Sequence, residues 1–283
     1  MPTTYSSLPV ELIPGLALST VIAVFARRRR ALTTSGALGA ILVGTVTFGF
    51  GGWIWGLVLV SFFALSSALS RYRQRDKSAS AEKFQKGSQR DLGQVLANGG
   101  LAAFISFLYW VNPSPALLAA FLGAMASVNA DTWGTEIGIL SPYGPRLITT
   151  GRRVPPGTSG GITLLGTTAS AVGGVFIGLL AYVLLSLESL LRGTNPLTIS
   201  WIIPTALVSG LVGSLFDSLL GAAVQGIYYC ARCEEETERT QHSCGLRTTH
   251  LRGVRWLDND VVNFVSSVCG ALVATAVWGV LGL

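Results

Sequence analysis

Residues 35–70 read SGALGAILVGTVTFGFGGWIWGLVLVSFFALSSALS, without one charged side chain. A helix needs about 20 mostly apolar residues to cross the hydrocarbon of a bilayer, so this stretch is long enough for two crossings. The glycines between 49 and 52 divide it into Ser35–Phe50 and Trp53–Ser70, which predicts a tight helical hairpin. Working outward, the same criterion selects Leu8–Phe25 before the hairpin. After it come Val95–Val111, Pro115–Val128, Ile162–Leu187, Ile199–Tyr228 and Val261–Leu283. The run from Pro115 is short and ends on polar Asn129 and Asp131, the pattern of a broken or half-inserted helix. The expected fold is an all-α polytopic transmembrane helix bundle of about eight spans, between about six and nine. It forms a single integral-membrane domain over 1–283, with a Cys/His loop inserted at 229–258.

Composition agrees. Half of the 283 residues are hydrophobic and 12% are charged, against about 25% charged in soluble domains. Mean hydropathy is +0.55. Thirty-four glycines suit close helix packing in lipid. A net charge of +6 and a pI near 9.4 would suit nucleic acid, but the basic residues are distributed by topology. Arg27–Arg30 follow the first span; Arg71, Arg73, Arg75, Lys77, Lys83, Lys86 and Arg90 follow the third. Arg146, Arg152 and Arg153 follow the fifth, and Arg232, Arg239, Arg247, Arg252 and Arg255 the seventh. Nineteen of the 20 basic residues thus fall on one side, with Arg192 opposite. The positive-inside rule makes that side cytoplasmic in a multi-pass cell-membrane protein, with both termini outside. The first apolar run has no positive charge before it and four arginines after it, so it reads as a retained span and not a cleavable signal.

Carboxylates beside apolar segments are costly and mark candidate sites. The first set runs Asn129-Ala-Asp131-Thr132-Trp133-Gly134-Thr135-Glu136, whose oxygens suit Mg2+; the plainer reading is an N-cap at Asp131 or Thr132. The second contains Arg146, Arg152 and Arg153 and the turn Gly157-Thr158-Ser159-Gly160-Gly161, opening into the sixth span. Its arginines and backbone amides suit phosphate, although no Walker A spacing is present. The third places Asp217 between Gly213 and Gly221 inside the seventh span, and the fourth is Asp258-Asn259-Asp260 with Asn263. Arg90, Gln94 and Asn98 form a polar stripe entering the fourth span, which interhelical hydrogen bonding explains as well as ligand binding does. Finally, Cys230, Cys233, His242 and Cys244 offer four ligands for a tetrahedral structural Zn2+; reduced thiols or a redox pair are the alternatives.

Several of these strings together resemble one family, the integral-membrane family that includes the transmembrane protein 19 group and chloroplast phytyl-phosphate kinase. The matching pieces are Leu32-Thr-Thr-Ser-Gly36 with Gly51-Gly-Trp53, Arg90-Asp-Leu-Gly-Gln94 through Asn98, and Asp131-Thr-Trp-Gly-Thr-Glu136. They continue with Pro145–Thr150 through Gly157–Gly161, Gly213-Ser-Leu-Phe-Asp217 through Gly221, and Leu257-Asp-Asn-Asp260 with Asn263. The Cys/His loop is not general to that family, being absent from its animal branch.

The resemblance implies phosphorylation of an isoprenoid alcohol monophosphate to its diphosphate by a nucleoside triphosphate, with CTP or GTP expected before ATP. Asp131, Glu136 and Asp217 would organise Mg2+ or the head group. Arg146, Arg152, Arg153, Asn98 and the Gly157–Gly161 turn would hold phosphates, and Asp258 and Asp260 a second Mg2+ or the nucleotide. Phosphoryl transfer asks mainly for charge neutralisation and alignment, so no covalent protein nucleophile is required. The competing readings are a transporter or flippase, a CTP-dependent nucleotidyltransferase acting on a lipid phosphate, and a scaffold organised by the zinc loop.

Overall fold

The structure, a computed structural model, describes residues 9–73, 89–193 and 199–281. Among them eight helices follow one another: α1 (Leu12–Arg28), α2 (Thr34–Gly51), α3 (Trp53–Arg71), α4 (Leu92–Val111), α5 (Pro115–Gly138), α6 (Leu164–Leu191), α7 (Ile202–Ala223) and α8 (Asn259–Leu281). Six of these, all but α1 and α5, are long and apolar enough to cross a membrane. Arg75, Lys77, Lys83 and Lys86 of the predicted basic loop lie outside the described residues.

The hairpin forms as the sequence predicts. Gly52, at φ 83°, ends α2 and begins α3, and its amide bonds to the Phe48 carbonyl at 3.0 Å. Helix starts carry side-chain caps: Thr33 for α2, Asp91 with Gln94 as a capping box for α4, Ser114 for α5 and Thr163 for α6. Each cap takes up an amide that the first turn leaves unpaired.

Apolar side chains fill the interior, as Trp55, Phe121, Met125 and Ile177 do, and also cover the outside. Phe25, Leu38, Leu42, Phe104, Val172, Val183 and Leu272 are exposed on the outer helix faces, an arrangement stable where lipid is the solvent. At the bundle end formed by the C-termini of α2 and α4, Phe50 packs on Phe107 and Trp110 at 5.3 and 5.1 Å between ring centres. Trp55 packs on Tyr109 nearby. Such an aromatic belt fits a membrane–water interface.

Helix α5 is the hub, packing against α3, α4, α6, α7 and α8, and every residue from Phe121 to Ala130 is buried. The expected break at Val128 does not occur, and the helix runs unbroken for 24 residues to Gly138. The reason is local. Asn129 donates from Nδ2 to the Gly173 carbonyl of α6 at 2.8 Å, and Ser127 donates to the Ser266 carbonyl of α8 at 3.0 Å. Neighbouring helices thus satisfy polar groups that lipid could not. Small residues permit that approach: a Cβ on Gly123 would collide with Ala274 and the Gly270 carbonyl, and one on Gly213 with Ser127.

Two small antiparallel sheets lie between helices. Strand β1 (Arg146–Leu147) pairs with β2 (Gly161–Ile162). Strands β3 (Ile227–Cys230), β4 (Glu235–Thr237) and β5 (Thr249–Arg252) form a sheet ordered β4-β3-β5. The seventh apolar run therefore stops being helical at Ala223, and Ile227–Tyr228 become strand. Arg252 closes the helix end, donating to the carbonyls of Gly221 and Ala222 at 3.2 and 2.8 Å, where a cation complements the helix dipole.

Gly123→Val inserts two further carbons and a Cβ into the α5–α8 contact and should destabilise the protein by about 1–3 kcal/mol. Gly279→Ala, where a Cβ meets nothing within 4 Å, is the control. Thermal unfolding in detergent should fall for the first variant and hold for the second.

Candidate functional site

One cavity of about 690 Å³ opens where the C-terminal ends of α3, α5 and α7 meet the N-terminal ends of α4, α6 and α8. Its inner wall comes from the end of α5. Residues 131, 134 and 135 follow the helical repeat, and Asp131, Thr132, Gly134, Thr135 and Glu136 all line the space. Opposite them, α7 contributes Ser214, Asp217, Ser218 and Gly221. Asp131 and Asp217 lie within electrostatic reach of each other, with Ser214 hydrogen-bonding to the first and Ser266 donating to Asp217 Oδ2 at 3.1 Å. Ser170 and Ser214 are 3.1 Å apart, Oγ to Oγ, joining α6 to α7 behind the carboxylates.

Glu136 points toward the α3–α4 side, where the Ser70 hydroxyl donates to its Oε1. Arg90 stands beside it. Its backbone bridges to the α1–α2 connection: the Arg90 amide donates to the Ala31 carbonyl and the Thr33 amide to the Arg90 carbonyl, both at 3.0 Å. A Cβ on Gly36 would strike the Arg90 carbonyl, which accounts for that glycine. The guanidinium rests over Phe62 and Phe63, 5.8 and 5.4 Å from the ring centres, and donates to Ser67 Oγ at 3.2 Å. Burial pushes its pKa down to about 10, with the Glu136 charge pulling the other way; it is a cation at neutral pH. Gln94 and Asn98 continue the stripe down α4. Asn98 donates to the Gln94 carbonyl at 2.8 Å, and both line the cavity.

The glycine-rich turn forms the outer wall. Gly157 to Gly161, with Thr158 and Ser159, all line the space. Gly157 and Gly160 have φ of 80° and 83°, a region open to glycine, and a Cβ on Gly160 would collide with Ala222. The turn is therefore pressed backbone-to-backbone onto α7. The cap of α6 is Thr163, whose Oγ1 accepts the Gly166 amide at 3.0 Å.

Not every predicted residue arrives. Arg146, Arg152 and Arg153 are exposed and do not line the cavity; Arg146 donates to the Gly151 carbonyl at 2.8 Å, closing the β1 turn. Asp258 is also outside the lining and accepts the Val261 amide at 3.1 Å as the α8 cap, whereas Asn259, Asp260 and Asn263 line the space. Trp133 stacks on Phe176 of α6 with centres 5.7 Å apart. In place of the exposed trio, Arg90 and Arg239 are the two basic side chains on the cavity among the described residues.

The sequence reading missed Glu238 and Arg239. Glu238 is 8% exposed, and its Oε1 accepts from Ser159 Oγ at 2.8 Å and from Gln225 Nε2 at 2.9 Å. Nothing at residue 159 announces a partner 79 positions later. Beside these residues, Cys230, Cys233, His242 and Cys244 bring one ligand atom each within 4.8 Å of one another, a group that could hold a metal ion.

The family described as integral membrane protein DUF92 matches residues 17–271 of the chain. Protein PGR of Arabidopsis thaliana is 33% identical over 270 residues, covering 90% of this chain and 92% of that protein. Membrane protein MJ0933 of Methanocaldococcus jannaschii is 28% identical over 270 residues, 95% of each. The chloroplastic protein VTE6 of Arabidopsis thaliana is 27% identical over 253 residues, 86% of this chain and 64% of that protein. No solved structure matches at a significant level.

Gly160→Ala combines a strained φ with a collision and should cost more than the roughly 1–2 kcal/mol of a left-handed L-residue. Gly151→Ala, at φ 68° with open space around it, should cost no more than that range. Paired unfolding measurements on the two variants check the order.

Proposed function

The chain belongs to the DUF92 family of integral membrane proteins, and from that premise and the cavity we propose that it is a prenyl-monophosphate kinase. In the reaction, an oxygen of the prenyl phosphate attacks the γ-phosphorus of a nucleoside triphosphate. The bond from that phosphorus to the β–γ bridging oxygen breaks, and prenyl diphosphate and nucleoside diphosphate leave. CTP or GTP is the expected donor ahead of ATP, following the family resemblance of the motifs.

The observation that carries this reading is the junction at Arg90. On one side lies the polar cavity; on the other, an apolar crevice lined by Ala23, Leu32, Val43, Phe48 and Phe63 runs between α1, α2, α3 and α4. Phe62, Arg90, Gln94 and Asn98 line both spaces. An anionic head with a hydrocarbon tail suits such a boundary: the crevice, about 70 Å³, would take only the first carbons of the tail, the rest lying in lipid. The concentration of described arginines at the same bundle end, with Arg192 at the other, supports a cytoplasmic mouth, where nucleotides are available.

The residues divide the work by chemistry. Arg90, Arg239 and the amides of the 157–161 turn would hold phosphate oxygens, since fixed donors aimed at developing charge are the main lever in phosphoryl transfer. Arg146, Arg152 and Arg153, exposed around the mouth, would act through long-range attraction of the nucleotide. Asp131 and Asp217 repel each other as anions unless a cation or proton lies between them. Their all-oxygen surroundings, with Ser214, fit Mg2+, which would supply charge neutralisation for the nucleotide phosphates. Glu136, Glu238 and Asp260 add to the acidic lining, with Asp258 serving the α8 cap that carries Asp260. The Cys/His group is read as a structural Zn2+ site, closed by four protein ligands.

Purified protein in detergent, given phytyl or farnesyl monophosphate, Mg2+ and CTP, GTP or ATP, should produce the prenyl diphosphate. Asp131→Asn should lower the rate by about 10²-fold or more, and Arg90→Gln by a similar factor, the usual scale for loss of one charge-stabilising group. Arg152→Gln, outside the cavity, should fall by less than about tenfold and mainly at low salt, the difference fading as salt screens the attraction. Release of inorganic pyrophosphate in place of nucleoside diphosphate would replace the kinase reading with nucleotidyl transfer. Solute counterflow in liposomes with neither product would replace it with transport.

A further inference from the structure

The Cys/His sheet looks separable from the cavity in the sequence, but two of its residues are cavity residues. Cys233 and His242 bracket the segment 234–241, and within it lie Glu238 and Arg239, both on the cavity lining. Cys230 ends β3 opposite Glu235 of β4, so the four ligands gather at the turn of this hairpin. Glu238 and Arg239 leave its other end. The Arg239 carbonyl accepts from Thr248 Oγ1 at 2.7 Å, and the Thr240 carbonyl accepts the Thr248 amide at 3.1 Å, tying the segment to the strand that follows.

Two observations point to a metal in this turn. The ligand atoms converge from two separate places in the chain. His242 is 4% exposed, and its Nε2 is buried without a hydrogen-bond partner, a costly condition for a polar atom unless something coordinates or bonds it.

We propose that metal bound by Cys230, Cys233, His242 and Cys244 sets the position of Glu238 and Arg239 and, through the Glu238–Ser159 bond, holds the glycine-rich turn 157–161 in place. The metal is thus a remote fastening for one wall of the cavity. Clipping residues 233 and 242 together removes most of the freedom of the chain between them. Glu238, taking hydrogen bonds from Ser159 and Gln225, carries that order across to a turn whose glycines have little conformational restraint of their own. Arg239 arrives with it as the second basic group on the lining. Glu238 is a positioning residue in this scheme. The inference rests on the metal reading of the four side chains and not on the phosphoryl-transfer reading.

The test reads backbone order, so it is independent of any activity. The whole protein in detergent is analysed for bound zinc. Hydrogen exchange is then followed in zinc-loaded and chelator-stripped samples and in Cys233→Ser and Glu238→Ala. The expectation is one zinc per chain, lost on stripping and in Cys233→Ser. Exchange should be about tenfold faster or more at both 234–241 and 157–161, with α5 unchanged. Glu238→Ala should keep its zinc and still release 157–161. Zinc-free protein with full protection of 234–241 would overturn the metal reading and the inference with it. Zinc that protects only the hairpin, or a Glu238→Ala variant with 157–161 undisturbed, would overturn the coupling alone.

Discussion

A carboxylate cannot sit against hydrocarbon, and the arrangement of this bundle follows from that one prohibition. Asp131 and Glu136 stand on α5, the helix that α3, α4, α6, α7 and α8 surround. Glycine and serine at Gly123, Ser127, Gly134, Ser170 and Gly213 bring those neighbours close enough to replace both lipid and water. The cost of the polar groups is met by partners on other helices: the backbone carbonyls of Gly173 and Ser266 for Asn129 and Ser127, and the hydroxyls of Ser266 for Asp217 and Ser70 for Glu136. Without the small residues the helices would stand apart, and the carboxylates would meet solvent of the wrong kind.

This also explains what could be read from the chain directly. Apolar runs mark helices that face lipid, and those spans were legible, as were the hairpin glycines. The end of α5 was not. A rule that measures hydropathy stops at Val128 because it assumes lipid beyond the helix surface, whereas the surface of α5 is protein. In the folded protein Gly134 packs against Ser170 and Gly166, the close company in which the helix continues.

The site was legible in its inward-facing parts and misleading in its arginines. Asp131, Asp217 and the Gly157–Gly161 turn are short-range motifs whose chemistry is visible in their own neighbours. Arg146, Arg152 and Arg153 have the same chemistry yet are exposed outside the cavity, on the turn that the Arg146–Arg153 bridge closes. Arg90 falls both among the loop charges that set topology and at the head of the polar stripe with Gln94 and Asn98. Its inward placement depends on a backbone bridge to Leu32, a pairing across 58 positions that no local pattern encodes. Glu238 is hidden for the same reason, being joined to the site by folding of a loop with no apolar periodicity.

The alternation of helix ends around the cavity has an electrostatic result. Each amino end presents about half a positive elementary charge and each carboxyl end about half a negative one. Three of each surround this space, so to first order the backbone contributes no net potential. Apart from the amides of the 157–161 turn, whatever sign the chamber shows to an entering ion is therefore written by side chains. A single exchange of acid for amide, or of arginine for glutamine, shifts that balance by a whole charge with nothing behind it to compensate.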